Sequence, residues 1–265
     1  MVVFERQLIK TVRFRKVFLP TREQVLNLTH SLRPFDLLRV FAGPTDWLNG
    51  VRPVARALVS STVVDLSKGS DAIYAGMHTN CRYKVRRAEK MHDRFDIVMN
   101  TEAARRDFLA FYNAFARGKG KMPLLKPRRF NEYLQHADVF MLYFEDQPTC
   151  GRLVLRDEES RTALMLYSGT RRFDGDADTI TVGLLNRYLH WYEMKTYQVA
   201  GLEKYDFGGT SKANLSGANF KLSFGGQPVM SGYAVYAGAA RLPWRIAHDA
   251  YAKWTGESSR LKAPL

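Results

Sequence analysis

Lys221 and Asp206 lie in the stretch YDFGGTSKANLSGANFKLSFGG, residues 205–226, in which two Phe-Gly-Gly triplets enclose a polar segment. Glycine pairs such as Gly208-Gly209 and Gly225-Gly226 suit positive φ, sharp turns and close approach of the backbone to a ligand. Backbone N–H groups exposed in this way, with the Lys221 ammonium beside them, could stabilise a carbonyl oxygen as it acquires negative charge. Asp206 has two readings, acceptor of a proton and cap of the glycine turn through an Asx-type hydrogen bond. Two ordinary turns remain the simpler reading of paired glycines, so the surrounding elements have to decide.

Other chemical motifs are weaker. Gly208-Gly209-Thr210-Ser211-Lys212 lacks the G-x-x-x-x-G-K-[ST] spacing of a phosphate loop, and no G-x-G-x-x-G follows a strand. His30, His78, His92, His136, His190 and His248 are scattered without ligand spacing, so no metal is expected. No G-x-S-x-G elbow is present, and Cys81 falls on the inward face of a helix, which speaks against covalent catalysis. With only Cys81 and Cys150 in the chain, neither a disulfide framework nor a cysteine zinc site is supported.

The elements that must position these residues follow from periodicity. VRFRKVF, residues 12–18, alternates as a strand with Arg13 and Arg15 on one face, and STVVDL, residues 61–66, reads as a buried strand. Between Asp71 and Met91 the apolar residues Met77, Cys81, Val85 and Ala88 recur at helical spacing, which predicts one helix whose other side carries Arg82, Arg86 and Lys90, with Arg87 beside them. Thr101 caps a second helix with Phe108, Phe111, Tyr112 and Phe115 on its buried stripe. Lys119 and Lys121 fall in a glycine-containing loop read as exposed. VFMLYFE, GRLVLR and RTALMLYS, separated by turn signals, predict a three-stranded antiparallel meander. A third helix over roughly residues 180–197 places His190 and Trp191 in the core, and LEKYDF forms a short strand ending at the first glycine pair. The order of helices, meander, helix, strand, loop and strand is an α+β arrangement with a mostly antiparallel sheet and a helical crossover. Near the C-terminus Trp244, Ala247, Tyr251 and Trp254 line one side of a basic amphipathic helix, read as docked on the protein body, with peripheral contact to a membrane as the alternative.

Forty Lys and Arg against 26 Asp and Glu give a formal charge of +14, which favours polyanionic partners such as nucleic acid, nucleotide-linked substrates or anionic lipid. No apolar run approaches a membrane span, and the start MVVFERQLIKTVRFRK is too charged for a signal peptide, so a cytoplasmic location is expected.

Three patterns, taken in chain order, resemble the FemAB-like branch of the GNAT acyltransferase superfamily. They are NCRYKVRRAEK at residues 80–90, GLLNRYLHW at 183–191, and YDFGG at 205–209 followed by Phe220-Lys221 and Phe224-Gly225-Gly226. The resemblance covers roughly residues 70–231, and the last pattern is its most specific part. It implies a GNAT-like fold with a central, mostly antiparallel mixed sheet flanked by helices, and a smaller partial N-terminal lobe over residues 1–95 ahead of an acyltransferase lobe over 96–265. It implies transfer of an acyl group to an amine by direct attack, the acceptor being an amino sugar, a cell-envelope precursor or a natural-product intermediate. The donor is an acyl-CoA thioester, with an aminoacyl-tRNA as in the peptidoglycan-bridge enzymes as the alternative.

In that scheme Lys221 and Asp206 are catalytic, and Gly208, Gly209, Gly225 and Gly226 border the donor. Tyr205, Phe220, Arg82, Arg86 and Arg87 contact substrate. The chain departs from the family where the pyrophosphate loop Q/R-x-x-G-x-G/A should precede the third helix; it has GTRRFDGDADTITVG instead, leaving Arg171 and Arg172 to contact phosphates. The rival of another class is a nucleic-acid-binding protein without catalysis, using the positive charge alone.

Overall fold

The computed structural model describes residues 1–9, 12–46, 53–120, 122–210 and 215–239. The C-terminal helix around Trp244 to Trp254, Lys121 and Lys212 lie outside the described residues. The chain divides into two compact units, Met1–Ser61 with the chain from Val229 onward, and Thr62–Pro228. Residues 62–95 fall within the larger unit.

In the smaller unit β1 (Val2–Ile9) and β2 (Val12–Phe18) pair antiparallel, and β2 pairs in parallel with β3 (Leu37–Gly43). A later strand, Gln227–Ala237, closes antiparallel onto β3. Helix α1 (Arg22–His30) supplies Val25 to a small core with Val17, Leu38, Val40, Ala234 and Tyr236. The two arginines of the VRFRKVF strand are both structural. Arg15 donates to Ser31 Oγ at 3.1 Å and Leu28 O at 3.3 Å, where the end of α1 leaves carbonyls unpaired. Arg13 grips the buried Asp36 at 2.6 and 3.0 Å; burial works to raise that carboxyl, but the guanidinium and two backbone N–H groups outweigh it and hold it low.

The larger unit takes in the end of β4 (Ala55–Asp65), then α2 (Ser70–Gly76), α3 (Thr79–Glu89), β5 (Phe95–Met99), α4 (Glu102–Lys119) and α5 (Pro127–Tyr133). The antiparallel meander follows as β6 (Ala137–Phe144), β7 (Gln147–Asp157) and β8 (Thr162–Thr170). The β6–β7 turn is a two-residue hairpin in which Glu145 and Asp146 have φ of 48° and 62°, the pair of positive values that a type I′ turn requires. Helix α6 (Thr179–Val199) crosses over to β9 (Lys204–Thr210), which runs parallel to β8. Gly151 and Gly169 let α4 lie close to one face: a Cβ at Gly151 would sit 3.1 Å from Phe108, and one at Gly169 would sit 3.2 Å from Phe111. On the other face α3 and α6 bury Cys81, Val85, Leu185, Leu189 and Trp191 against Phe140, Cys150 and Val154.

Two differences from the sequence reading lie side by side in the structure. The segment between the glycine pairs is a loop by sequence, but residues Leu215–Leu222 form helix α7, and the helix expected over 71–91 is broken at Met77-His78 into α2 and α3. The turn after α7 abuts that break. His78 N donates to Ser223 O at 2.9 Å, and a Cβ on Gly225, whose φ is +80°, would stand 2.6 Å from Gly76 O. Gly225→Ala is therefore expected to lower unfolding free energy by about 3 kcal/mol, combining a left-handed backbone with overpacking against main chain. Gly69→Ala, at the same φ but with nothing within 4 Å, should lose only about 1 kcal/mol. Urea melts of the two variants check this, and equal losses would refute the contact with Gly76.

Candidate active site

The parallel pairing of β8 with β9 covers Thr162↔Lys204, Ala163↔Tyr205 and Leu164↔Asp206, and ends there. On the opposite edge of β8, Leu153 of β7 faces Tyr167 while Val154 faces Met165, so Leu166 is an extra residue, a β-bulge. A bulge bends its strand and interrupts the ladder, and this one sits where β8 parts from β9. Residues Met165, Leu166, Tyr167 and Ser168 are consequently only half-buried in the middle of a sheet, whereas Ala163 and Leu164 before them and Gly169 and Thr170 after them are buried. The opening presents the edge of β8 to an extended ligand that could add to it as a strand does.

β9 is shaped for the same opening. Gly208 turns at φ +70°, and a Cβ there would stand 2.8 Å from Met165 O, so only glycine fits between the strands. Its N–H donates to Asp206 Oδ1 at 2.8 Å, the Asx-type cap, and is occupied within the chain instead of facing a substrate. Lys221 reaches over from α7, its Nζ donating to Gly208 O at 2.7 Å and Gly209 O at 3.0 Å. The glycines thus offer carbonyls to the lysine. Two of the three ammonium hydrogens hold the strand end, and the third points away from those carbonyls. Burial pushes the Lys221 ammonium down to about 8; Asp206 works against that shift and Lys119, the last residue of α4, adds to it.

Beneath this site runs a polar network that the sequence reading did not foresee. Arg152 of β7 is fully buried under α6. Its Nη1 donates to Gly151 O at 2.8 Å and Gly169 O at 3.1 Å, and its Nη2 donates to Asn186 Oδ1 and lies 3.2 Å from His190 Nε2. Nε faces Glu193 Oε1 at 3.7 Å, an ion pair in which neither atom has a hydrogen bond. Tyr205 donates its hydroxyl to Glu193 Oε2 and sits 3.2 Å from His190 Nδ1. Burial, then the Arg152 charge, push His190 down to about 4, so it is neutral at pH 7. Because Nε2 meets an arginine N–H it must accept, which assigns the imidazole proton to Nδ1. The ring is walled by Phe207, Phe220 and Phe224 at 5.0 to 5.6 Å between centroids, which links the network to the residue preceding Lys221.

Comparison with known proteins decides the family. The model described as an acetyltransferase (GNAT) domain matches residues 75–222, more than half of the chain. The chain belongs to the GNAT acetyltransferase family. Solved structures agree in fold. FemX is 11% identical, with a TM-score of 0.62 over 92% of this chain and 85% of its own. The C-terminal domain of an Agrobacterium fabrum protein described as a lysylphosphatidylglycerol synthetase is 14% identical, with a TM-score of 0.58 over 98% and 88%. L-PGS from Bacillus licheniformis is 11% identical, with a TM-score of 0.53 over 97% and 86%. No curated protein matches. The protein has the α+β fold and mixed sheet of GNAT acyltransferases, a fold it shares with FemX.

The GNAT frame shows which expected residues meet. Lys221, Asp206, Gly208, Gly209 and Phe220 converge at the β8–β9 opening, with Arg187 of α6 stacked 4.8 Å over the Phe220 ring. Tyr205 is buried in the network below. Gly225 and Gly226 pack against the main chain at Gly76 and Val63. Arg82 donates to Ala75 O at 2.7 Å and to Met77 O, bracing the break before α3, while Arg86 and Arg87 lie exposed on that helix. Arg171 is held by its own loop, at 3.0 Å to Asp174 and 2.6 Å to Asp176, and Arg172 is exposed. The N-terminus of α6 is capped by Asp178, which accepts from Ile180 N at 2.9 Å. Among the described residues no group of His, Cys, Asp and Glu is placed to hold a metal, and no helix is long and apolar enough to cross a membrane.

Proposed function

We propose that the protein transfers an acyl group to an amine by direct attack, and that its donor is an aminoacyl ester carried on tRNA. The observation behind the reaction is Lys221 at the mouth of the β8–β9 opening, with one ammonium hydrogen left over after the glycine carbonyls are served. An extended donor laid along β8 would bring its carbonyl toward that hydrogen, which stabilises the oxyanion of the tetrahedral intermediate. Attack by an amine needs no enzyme nucleophile, consistent with Cys81 and Cys150 both being buried, their thiols pushed up by burial.

The donor assignment rests on the entrance to α6. A helix N-terminus favours the pyrophosphate of a nucleotide cofactor, but Asp178 caps this one, and Asp174 and Asp176 in the loop before it take up the Arg171 charge. An acyl-CoA pyrophosphate there would meet the Asp178 carboxylate and find Arg171 already paired. The net charge of +14 and the exposed Arg86, Arg87 and Lys90 suit a polyanion instead. Acyl-CoA remains the second reading because the matching family model is that of acetyltransferases. The proposed acceptor is an amino sugar, a cell-envelope precursor or a natural-product intermediate, met in the cytoplasm. A nucleic-acid-binding role without catalysis leaves the Lys221 clamp unexplained.

Turnover of an amine panel with charged tRNAs and, separately, with acyl-CoAs tests the assignment. Activity confined to the tRNA arm, abolished by ribonuclease and steeply weakened by salt, is expected. Turnover with a thioester that survives ribonuclease would overturn the donor assignment and leave the acyl-transfer chemistry standing.

A further inference from the structure

We propose that Lys221 is itself an acyl acceptor: with no amine in the site, an activated acyl group passes to its Nζ, forming an amide that silences the enzyme. The inference rests on the acyl-transfer reading and assigns to the same lysine a modification that reading does not contain.

The geometry is the argument. A neutral lysine amine has two hydrogens and one lone pair. With both hydrogens donated to Gly208 O and Gly209 O, at 2.7 and 3.0 Å, the lone pair is the one position left, and it is directed away from the strand end. The same contacts that aim the third hydrogen of the ammonium at a donor carbonyl therefore aim a nucleophile at it once that hydrogen is gone. The surroundings favour the loss. Lys221 is half-buried, Lys119 at the end of α4 opposes its charge, and His190 of α6 is neutral. Arg187, also of α6, is stacked on the neighbouring Phe220, and Asp206 of β9 is the group that retains the proton. With the ammonium near 8 in place of the ordinary lysine value, the neutral fraction at pH 7 is about 300-fold above that of an exposed lysine.

The step balances without an oxidant or an outside reagent. The amine attacks the acyl carbon, the C–O bond of an ester or the C–S bond of a thioester breaks, and a C–N bond forms. The leaving alcohol or thiol takes the proton that nitrogen gives up. The product amide carries no charge and only one N–H, so it can neither hold both glycine carbonyls nor stabilise an oxyanion. A site flooded with donor and lacking acceptor thus switches itself off.

The test uses the full-length protein and p-nitrophenyl acetate, a small activated ester that bypasses recognition of the natural donor, with peptide mass spectrometry to rank every lysine by acetylation rate between pH 6.5 and 10. Lys221 is expected to react at least about tenfold faster than the median lysine at pH 7.5, and its rate should rise with pH and level off above about 8, where exposed lysines are still climbing. Transferase activity, where a donor supports it, should fall in step with Lys221 labelling. A Lys221 rate at or below the median overturns the inference and leaves the transferase reading untouched. Selective labelling in a protein that transfers no acyl group from tRNA or CoA would support Lys221 as an acyl acceptor but overturn the silencing together with the transferase reading. Because the wild-type chain carries the measurement, no variant has to fold.

Discussion

Lys221→Met is expected to lower kcat by about 100- to 1,000-fold while KM for the donor stays within about threefold, the pattern left when a group acting on the transition state is removed. In the proposed pose the donor would lie along the β8 edge, so its ground-state binding would not need the ammonium. The oxyanion does, because charge appears on that oxygen only as the amine attacks. A second effect accompanies the first, since a thioether in place of the Lys221 ammonium leaves Gly208 O and Gly209 O without their donor. That loss is structural and shows in the melting temperature. The two contributions separate by pH: if the cation is required, kcat in the wild type falls as pH rises through about 8, the folded value of Lys221, because the protonated form is lost above it. A melting temperature lowered by many degrees together with a flat kcat profile would make Lys221 a strap on β9 and remove it from the chemistry.

The strongest elements were legible in the sequence because local pattern and tertiary environment agree in them. Thr101 caps α4 by accepting from Ala104 N at 3.1 Å, the meander follows its alternation, and α6 spans Thr179–Val199 where its apolar repeat puts it. The break at Met77-His78 was not legible, because what packs against it, the turn at Gly225, lies well over a hundred residues away in sequence. Helix α7 was hidden by two serines, two asparagines and a glycine around Leu215–Leu222, residues that favour turns when nothing packs on them. At the site the sequence held Lys221, Asp206 and the glycines but could not orient them: the Gly208 N–H, a candidate donor to substrate, is taken by Asp206. The network beneath was missed for another reason. Nothing local in GRLVLR marks Arg152 as buried, although Asn186, His190 and Glu193 recur at helical spacing on one face of α6 and mark where its partners lie.

Arg152→Met should be the most destabilising single change, lowering unfolding free energy by about 3–5 kcal/mol, the usual loss when one member of a buried ion pair is removed. The side chain is fully buried, as is Glu193, so no water replaces the guanidinium when it goes. Glu193 would keep the Tyr205 hydroxyl and the His190 Nδ1 contact at 3.4 Å but lose its counter-charge, and Gly169 O, Asn186 Oδ1 and His190 Nε2 would each lose a donor. Arg152→Lys should recover little, because one ammonium cannot reproduce a planar fork that reaches two carbonyls, an amide and an imidazole together. The double change Arg152→Met with Glu193→Gln removes the orphaned charge along with its partner. Its loss should fall short of the sum of the single losses by at least about 1 kcal/mol, as residues of one network couple. Urea denaturation of the four proteins closes the cycle, and additive losses would mean that the two side chains contribute packing alone. The consequence reaches the chemistry through the imidazole. Freed from Arg152, Nε2 no longer has to accept, the Nδ1 proton is no longer fixed, and the ring that packs on Phe220 can turn. A folded Arg152 variant with slower turnover and unchanged donor affinity would show that Lys221 is aimed from beneath the sheet as well as from its own helix.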